Sequence, residues 1–207
     1  MREVIVLHGL WAPGLVMSPL AARLAAEGFR CRVFRYTGRN HPLEANAERL
    51  RRYARVFGPA HFVGHSLGGL VILEALGAAP ELAAGKVVLL GTPACGSLAG
   101  RRFAGHSLGR WLLGRSAALW RERGAVRWLR PEPLGVIAGT LPLGLGSALG
   151  HLPRPNDGVV CVAETALEGM RDRIVLPVSH SAMIVSARVA AQTAEFLRQG
   201  WFRHDAN

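Results

Sequence analysis

The stretch Ala60-His-Phe-Val-Gly-His-Ser66-Leu-Gly-Gly-Leu-Val-Ile-Leu-Glu-Ala-Leu76 decides how the rest of the chain is read. A short apolar run enters Gly64-His-Ser66-Leu-Gly68 and an amphipathic helix pattern leaves it. A strand that becomes a helix within so few residues needs small residues in the turn, and Gly64 and Gly68 remove side chains that would collide there. The spacing therefore predicts Ser66 at the carboxyl end of a strand, beside the amino end of a helix. The same five-letter pattern recurs at Gly105-His-Ser107-Leu-Gly109. Arg101-Arg-Phe-Ala104 precedes that copy, so no apolar strand feeds the turn, and context selects Ser66 over Ser107.

Outward from Ser66, short β-rich runs alternate with helical stretches along the whole chain. The runs are Glu3–Leu7, Cys31–Arg35, His61–Val63, Lys86–Leu90, Leu134–Ala138 and Arg173–Leu176. Helices are expected near Met17–Glu27, Pro42–Phe57, Leu67–Gly77 and Ser181–Gln199. Strands joined by helices imply crossover connections and hence a mostly parallel sheet covered on both faces. The expected fold class is α/β, an open, doubly wound sheet of about six strands. Two segments break the rhythm. Gly96–Pro133 carries eight arginines with Trp111, Trp120 and Trp128, and Thr140–Asn156 is an apolar loop rich in Gly, Leu and Pro. Both follow strands, where open α/β sheets place ligands, so 96–133 is read as a cap or lid insertion within one domain spanning 1–207.

Composition narrows the function. Half of the 207 residues are apolar, enough for one sizeable core. The opening Met1–His8 run is too short for a signal peptide and better suits a buried strand, and no apolar run spans a bilayer, which points to a cytoplasmic protein. Cys31, Cys95 and Cys161 are odd in number and form no C-x-x-C pair, which argues against a disulfide framework and a structural zinc site. The formal charge of +11 comes almost wholly from arginine, since Lys86 is the only lysine. It reflects either an arginine-rich background or attraction to an anionic surface.

A serine nucleophile needs a base for its proton and a carboxylate to orient that base. Among the histidines after Ser66, His180 follows an apolar run and precedes the final helix, where a base belongs; His106, His151 and His204 sit in less suitable places. Aspartate occurs only at positions 157, 172 and 205. Asp157, after the fifth strand and within Pro155-Asn-Asp-Gly158, is the candidate acid, although that tetrad also reads as an ordinary tight turn. Asp172 directly precedes the last strand, Asp205 lies in the tail, and Glu164 is the reserve. Backbone N–H groups of Leu67, at the helix start, and Leu10, in the loop after the first strand, are the candidate oxyanion donors, with Trp11 as the alternative to Leu10.

These residues resemble a small α/β-hydrolase, in particular the bacterial lipase and esterase branch. Four stations carry the resemblance: His8-Gly9-Leu10, Gly64-His-Ser66-Leu-Gly-Gly69, Gly91-Thr-Pro93 with Gly96-Ser97, and Asn156-Asp157-Gly-Val-Val160 ahead of His180. The resemblance implies the α/β-hydrolase fold in a minimal form, a Ser66–Asp157–His180 triad, and ester hydrolysis through an acyl-enzyme. The chain departs from the pattern at Thr92-Pro93-Ala94, where the lipase form often ends in His. It also has no carboxylate soon after His180, where secreted lipases of this branch hold calcium. No metal and no other cofactor is therefore expected.

The surroundings of the triad are apolar. Trp11, Leu141 and Leu143 are expected to wall the substrate pocket, which suits an acyl ester or thioester. Leu108, Trp111, Leu112 and Leu119 fall near helical spacing among arginines, a pattern that fits either the core face of a packed helix or peripheral contact with an anionic membrane. No nucleic-acid motif accompanies the charge. The alternatives to an esterase are a thioesterase or acyltransferase with the same triad, and a non-catalytic binding protein that keeps the fold and associates with anionic membrane surfaces.

Overall fold

In a computed structural model of the protein, the described residues are 2–10, 13–122, 126–143 and 152–204, without the side chains of 121 and 122. Six strands, β1 (Glu3–Leu7), β2 (Arg30–Phe34), β3 (Ala60–His65), β4 (Ala84–Leu90), β5 (Leu134–Gly139) and β6 (Asp172–Leu176), form one sheet in the order β2-β1-β3-β4-β5-β6. Every neighbouring pair is parallel. The helices are α1 (Ser18–Ala26), α2 (Leu43–Phe57), α3 (Leu67–Gly77), α4 (Leu98–Gly105), α5 (Ser107–Leu113), α6 (Ala117–Glu122) and α7 (Ala187–Gln199).

Strand side chains alternate between two apolar layers, as the pleat requires. Ile5, Leu7, Phe62, Val87, Leu89 and Val136 pack with α2 and α3. Val4, Val6, Val63, Val88, Leu90 and Ile137 pack with Leu20 and Leu24 of α1 and with Val189 and Phe196 of α7. Helix α3 departs from the amphipathic pattern expected of it: it is buried almost all round, packed among the residues of the sheet and α2, and so carries no polar face.

The expected doubly wound parallel sheet is present, and all six strands have boundaries within two residues of the sequence reading. The final helix differs. A 3-10 turn occupies Ser181–Ile184, and α7 starts at Ala187 because Ser186 caps it, its hydroxyl accepting the Val189 N–H at 3.3 Å. The segment after β4 holds three short helices, α4 to α6.

From β1 the chain moves outward to β2, then returns to place β3 on the other side of β1. That reversal opens a crevice beyond the carboxyl ends of β1 and β3, the position where open α/β sheets bind ligands. The loop from His8 leaves the first of these ends and Ser66 the second.

Candidate active site

Ser66 joins β3 to α3 with φ 54° and ψ −122°. Among the described residues it is the only non-glycine with positive φ. Such a conformation costs about 1–3 kcal/mol, so the surroundings must enforce it. The Ser66 N–H donates to Leu90 O at 2.9 Å, and its carbonyl accepts from Gly69 N and from Thr92 Oγ1, both at 3.1 Å. Glycine is required around the turn: a methyl group on Gly64 would sit 2.6 Å from Gly69 N, and one on Gly68 2.6 Å from His8 O. The strand–turn–helix expected for Ser66 is thus present. Ser107 is instead the exposed first residue of α5, preceded by a helix.

His180 follows β6, and its backbone N–H donates to Asp157 O at 2.8 Å. Its Nδ1–H donates to Asp157 Oδ2 at 2.7 Å, which directs the Nε2 lone pair away from the carboxylate. Asp157 is 1% exposed, and its other oxygen, Oδ1, accepts from the N–H groups of Val159 at 2.9 Å and Val160 at 2.7 Å. The tight turn at 155–158 leaves the carboxylate free for a second contact: one oxygen closes the turn and the other faces His180. Glu164 is not beside His180; it braces the Cys161 and Leu98 N–H groups. Asp172 holds Phe202 N at 2.7 Å and His204 Nε2 at 3.0 Å. His106 is exposed between α4 and α5, and His151 and Asp205 lie outside the described residues.

Two residues that the sequence reading left without a role border this pair. Gly91, at φ 53°, leaves room for it: a methyl group there would lie 3.0 Å from Asp157 Oδ2 and 3.1 Å from His180 Nδ1. Gly-Thr-Pro at 91–93 signalled this only as part of a motif. His65, the last residue of β3, is buried, its ring centroid 4.6 Å from that of His180. Its Nε2 lies 3.0 Å from His180 O, and since a carbonyl only accepts, Nε2–H is the donor. Burial, followed by the nearby His180 charge, pushes its pKa down to about 3, so the ring is neutral.

The loop after β1 closes over the serine. A methyl group on Gly9 would lie 3.1 Å from Ser66 Cβ and 3.2 Å from His65 Nδ1. His8 is buried, stacks on Tyr36 at 4.5 Å, and donates from Nδ1 to Gly9 O at 2.7 Å, while Tyr36 OH donates to His8 O at 2.7 Å. Burial lowers its pKa as well. Leu67 opens α3, where first-turn N–H groups lack acceptors within the helix. The side chains of Leu10 and Leu67 converge on Gly38, since a methyl group there would meet both, at 2.9 and 2.5 Å. The expected pocket wall does not enclose a space here: Leu141 and Leu143 are 41% and 66% exposed, while Trp11 lies outside the described residues. Among the described residues, no group of three or more His, Cys, Asp or Glu side chains is arranged to hold a metal.

Residues 4–199 match a family model described as the alpha/beta hydrolase family. No curated protein matches the chain by sequence. Among solved structures, the mature lipase BlEst2 of Bacillus licheniformis is similar at TM-score 0.67 and 19% identity, over 96% of this chain and 91% of that one. A thermophilic esterase from Thermogutta terrifontis is similar at 0.68 and 16%, over 97% and 90%. Phospholipase PlaB from Legionella pneumophila is similar at 0.70 and 16%, but 95% of this chain spans only 56% of that protein. Identities this low speak for a common fold.

Proposed function

The chain belongs to the alpha/beta hydrolase family, matched over residues 4–199, and from that premise we propose that it is a serine hydrolase cleaving carboxylic esters of acyl groups. The observation that carries the reading is the buried Asp157–His180 pair, bonded at 2.7 Å, at the same edge of the sheet as the strained Ser66. A fold kept only for binding has no need of a serine held at φ 54°. That the similar structures include a lipase and an esterase supports the same reaction class.

In this mechanism Ser66 Oγ attacks the ester carbonyl as His180 Nε2 takes its proton. Asp157 Oδ2 holds the imidazole in the Nδ1–H tautomer and stabilises the imidazolium. The Leu10 and Leu67 N–H groups stabilise the tetrahedral oxyanion, since donors fixed in advance cost no reorganisation as charge develops. The imidazolium protonates the leaving alkoxide. Water, deprotonated by His180, then releases the acyl group from Ser66.

The test is fluorophosphonate labelling of wild type, Ser66→Ala and Ser107→Ala, followed by turnover of p-nitrophenyl esters of increasing chain length. Labelling and turnover are expected to vanish only in Ser66→Ala; labelling that survives in that variant would sink the mechanism. Adding alcohol acceptors to the same assay separates hydrolysis from acyl transfer.

The proposal extends to where the substrate is met, namely peripheral contact with an anionic membrane. Of the ten exposed large apolar residues among the described residues, six (Leu15, Leu108, Trp111, Leu141, Leu143 and Val185) sit in segments at the carboxyl edge of the sheet, where Ser66 lies. Trp111 of α5 is 62% exposed, so the stripe expected from Leu108 to Leu119 divides: Leu119 packs on the core while Leu108 and Trp111 face outward. The Arg39 guanidinium lies 4.6 Å over the Trp111 ring. Arg101, Arg110 and Arg115 are exposed nearby in sequence, and no acidic residue occurs between Glu81 and Glu122. Tryptophan among exposed arginines suits the interface of an anionic bilayer. Among the described residues no helix is long and apolar enough to cross a membrane.

A further inference from the structure

We propose that His65 is a positioning residue for the base, its Nε2–H holding the His180 carbonyl so that the loop carrying the imidazole keeps register with Ser66. The proposal rests on the ester-hydrolase reading and concerns a side chain that the triad chemistry does not use. Among the described residues, the other hydrogen bonds of His180 run from its Nδ1–H and its backbone N–H to Asp157, at 2.7 and 2.8 Å. Both of those bonds lead into the loop after β5. The His65 bond, at 3.0 Å, ties the same residue to β3, a central strand, one residue before the nucleophile. Nucleophile and base are thereby fixed from adjacent positions of one rigid element.

The chemistry of the side chain fits this task. Beneath the base, a side chain must donate one hydrogen bond, fill a flat space 4.6 Å from a ring, and carry no charge when His180 becomes an imidazolium. A neutral imidazole does all three. Lysine or arginine would place a second cation beside the imidazolium, and leucine would leave the His180 carbonyl without its donor. Burial keeps the His65 ring uncharged well below neutrality, its pKa pushed down to about 3. The opposite ring edge faces the loop after β1, because a methyl group on Gly9 would lie 3.2 Å from Nδ1. One ring thus touches the loop of the Leu10 donor and the loop of the base.

The experiment compares fluorophosphonate labelling and p-nitrophenyl ester turnover in wild type, His65→Leu and His65→Gln. His65→Leu is expected to lose about 100-fold in kcat and labelling rate with KM little changed, the scale of an ångström-level misplacement. His65→Gln, which retains an N–H donor, is expected to recover most of that loss. Equal rates in wild type and His65→Leu overturn the proposal, and so does equal loss in both variants, since that assigns the effect to shape alone. Should His65→Leu fail to fold, ring-nitrogen NMR of 15N-histidine-labelled Ser66→Ala protein decides. A neutral Nε2–H tautomer at pH 7 upholds the bond, and an Nδ1–H tautomer or a doubly protonated ring overturns it. A folded wild type that neither labels nor turns over any ester instead removes the ester-hydrolase reading, and the two failures are distinct.

Discussion

Replacing Gly91 with alanine tests whether the spacing of the acid–base pair governs the chemistry. The added methyl group would lie 3.0 Å from Asp157 Oδ2, 3.1 Å from His180 Nδ1 and 3.2 Å from Met183 Sδ. Ordinary contacts of this kind begin near 3.4 Å, so the pair must move by a few tenths of an ångström at both ends of its hydrogen bond. Movement elsewhere is restricted, because Asp157 Oδ1 is held by two backbone N–H groups and His180 by its bond to His65. A displacement of about 1 Å at a catalytic group costs about 100-fold in rate, so a smaller shift of both partners places the loss near tenfold or somewhat above. Alanine must also adopt φ near 53°, at about 1–2 kcal/mol. For a domain of this size that lowers Tm by about 2–8 °C. The assay pairs kcat/KM on a p-nitrophenyl ester with the thermal transition, measured well below the midpoint so that unfolding does not contribute. A folded Gly91→Ala protein with wild-type kcat/KM would refute the reasoning, since the Asp157–His180 geometry would then be irrelevant to turnover.

Other consequences follow from the same geometry. Asp157→Asn can no longer select the Nδ1–H tautomer of His180 and is expected to lower kcat by about 10⁴ while KM changes little, read in the same ester assay; a loss under tenfold would remove Asp157 from the mechanism. Stability should fall in acid because His65 and His8 are buried uncharged, their pKa values lowered from 6.5, to about 3 for His65. Below pH 6.5 the unfolded chain binds protons that the folded one refuses, so this contribution is complete above 6.5 and is lost as pH falls toward 3. The slope is at most about 1.4 kcal/mol per pH unit for each histidine. Urea midpoints between pH 7.5 and 4.5 should fall less steeply in His65→Gln, and identical slopes would count against a neutral buried His65. On the surface, Ser66→Ala protein is expected to co-sediment with phosphatidylglycerol-containing vesicles and not with phosphatidylcholine alone. Changing Arg101, Arg110 and Arg115 to Gln should remove about 3 kcal/mol, roughly 100-fold in partitioning. Equal binding to both vesicle types would exclude anionic recognition.

What was legible in the sequence was whatever depends on periodicity and on strand ends. The four central strands have side chains buried on two faces, so their apolar runs stand out, and Ser66 is marked by the glycines that its turn demands. Asp157 and His180 are marked by their places after strands and by the scarcity of aspartate. Position 65 was read only as the x of a motif, because the sequence does not reveal that a residue at a strand end faces a loop 115 positions away. Gly91 was hidden for a similar reason: its neighbours Asp157 and His180 are remote in sequence and meet it only across the sheet edge. The helical stripe from Leu108 to Leu119 was ambiguous because periodicity reports an apolar face without saying what covers it. In the structure Leu119 is covered by the core and Trp111 is not.

The precision of the site comes from sheet register more than from the loops that carry its residues. Leu7 is paired with Gly64, His65 with Leu90, Leu90 with Ile137, and Gly139 with Leu176, so five strands end at nearly one level. His8, Ser66, Gly91 and the loops bearing Asp157 and His180 all leave from that level. A one-residue slip in any pairing would move its loop by about 3.3 Å, far beyond what acid–base chemistry tolerates, and would exchange the two apolar layers. The alternation that buries Ile5 and Leu7 on one face and Val4 and Val6 on the other therefore guards the site as well as the core. A cavity-forming change at the sheet centre, such as Phe62→Ala, should cost about 3–5 kcal/mol while folded molecules keep their kcat, because register survives the loss of volume. Stability and turnover falling together per folded molecule would show that packing at the centre of the sheet, and not register, sets the distance between Ser66 and His180.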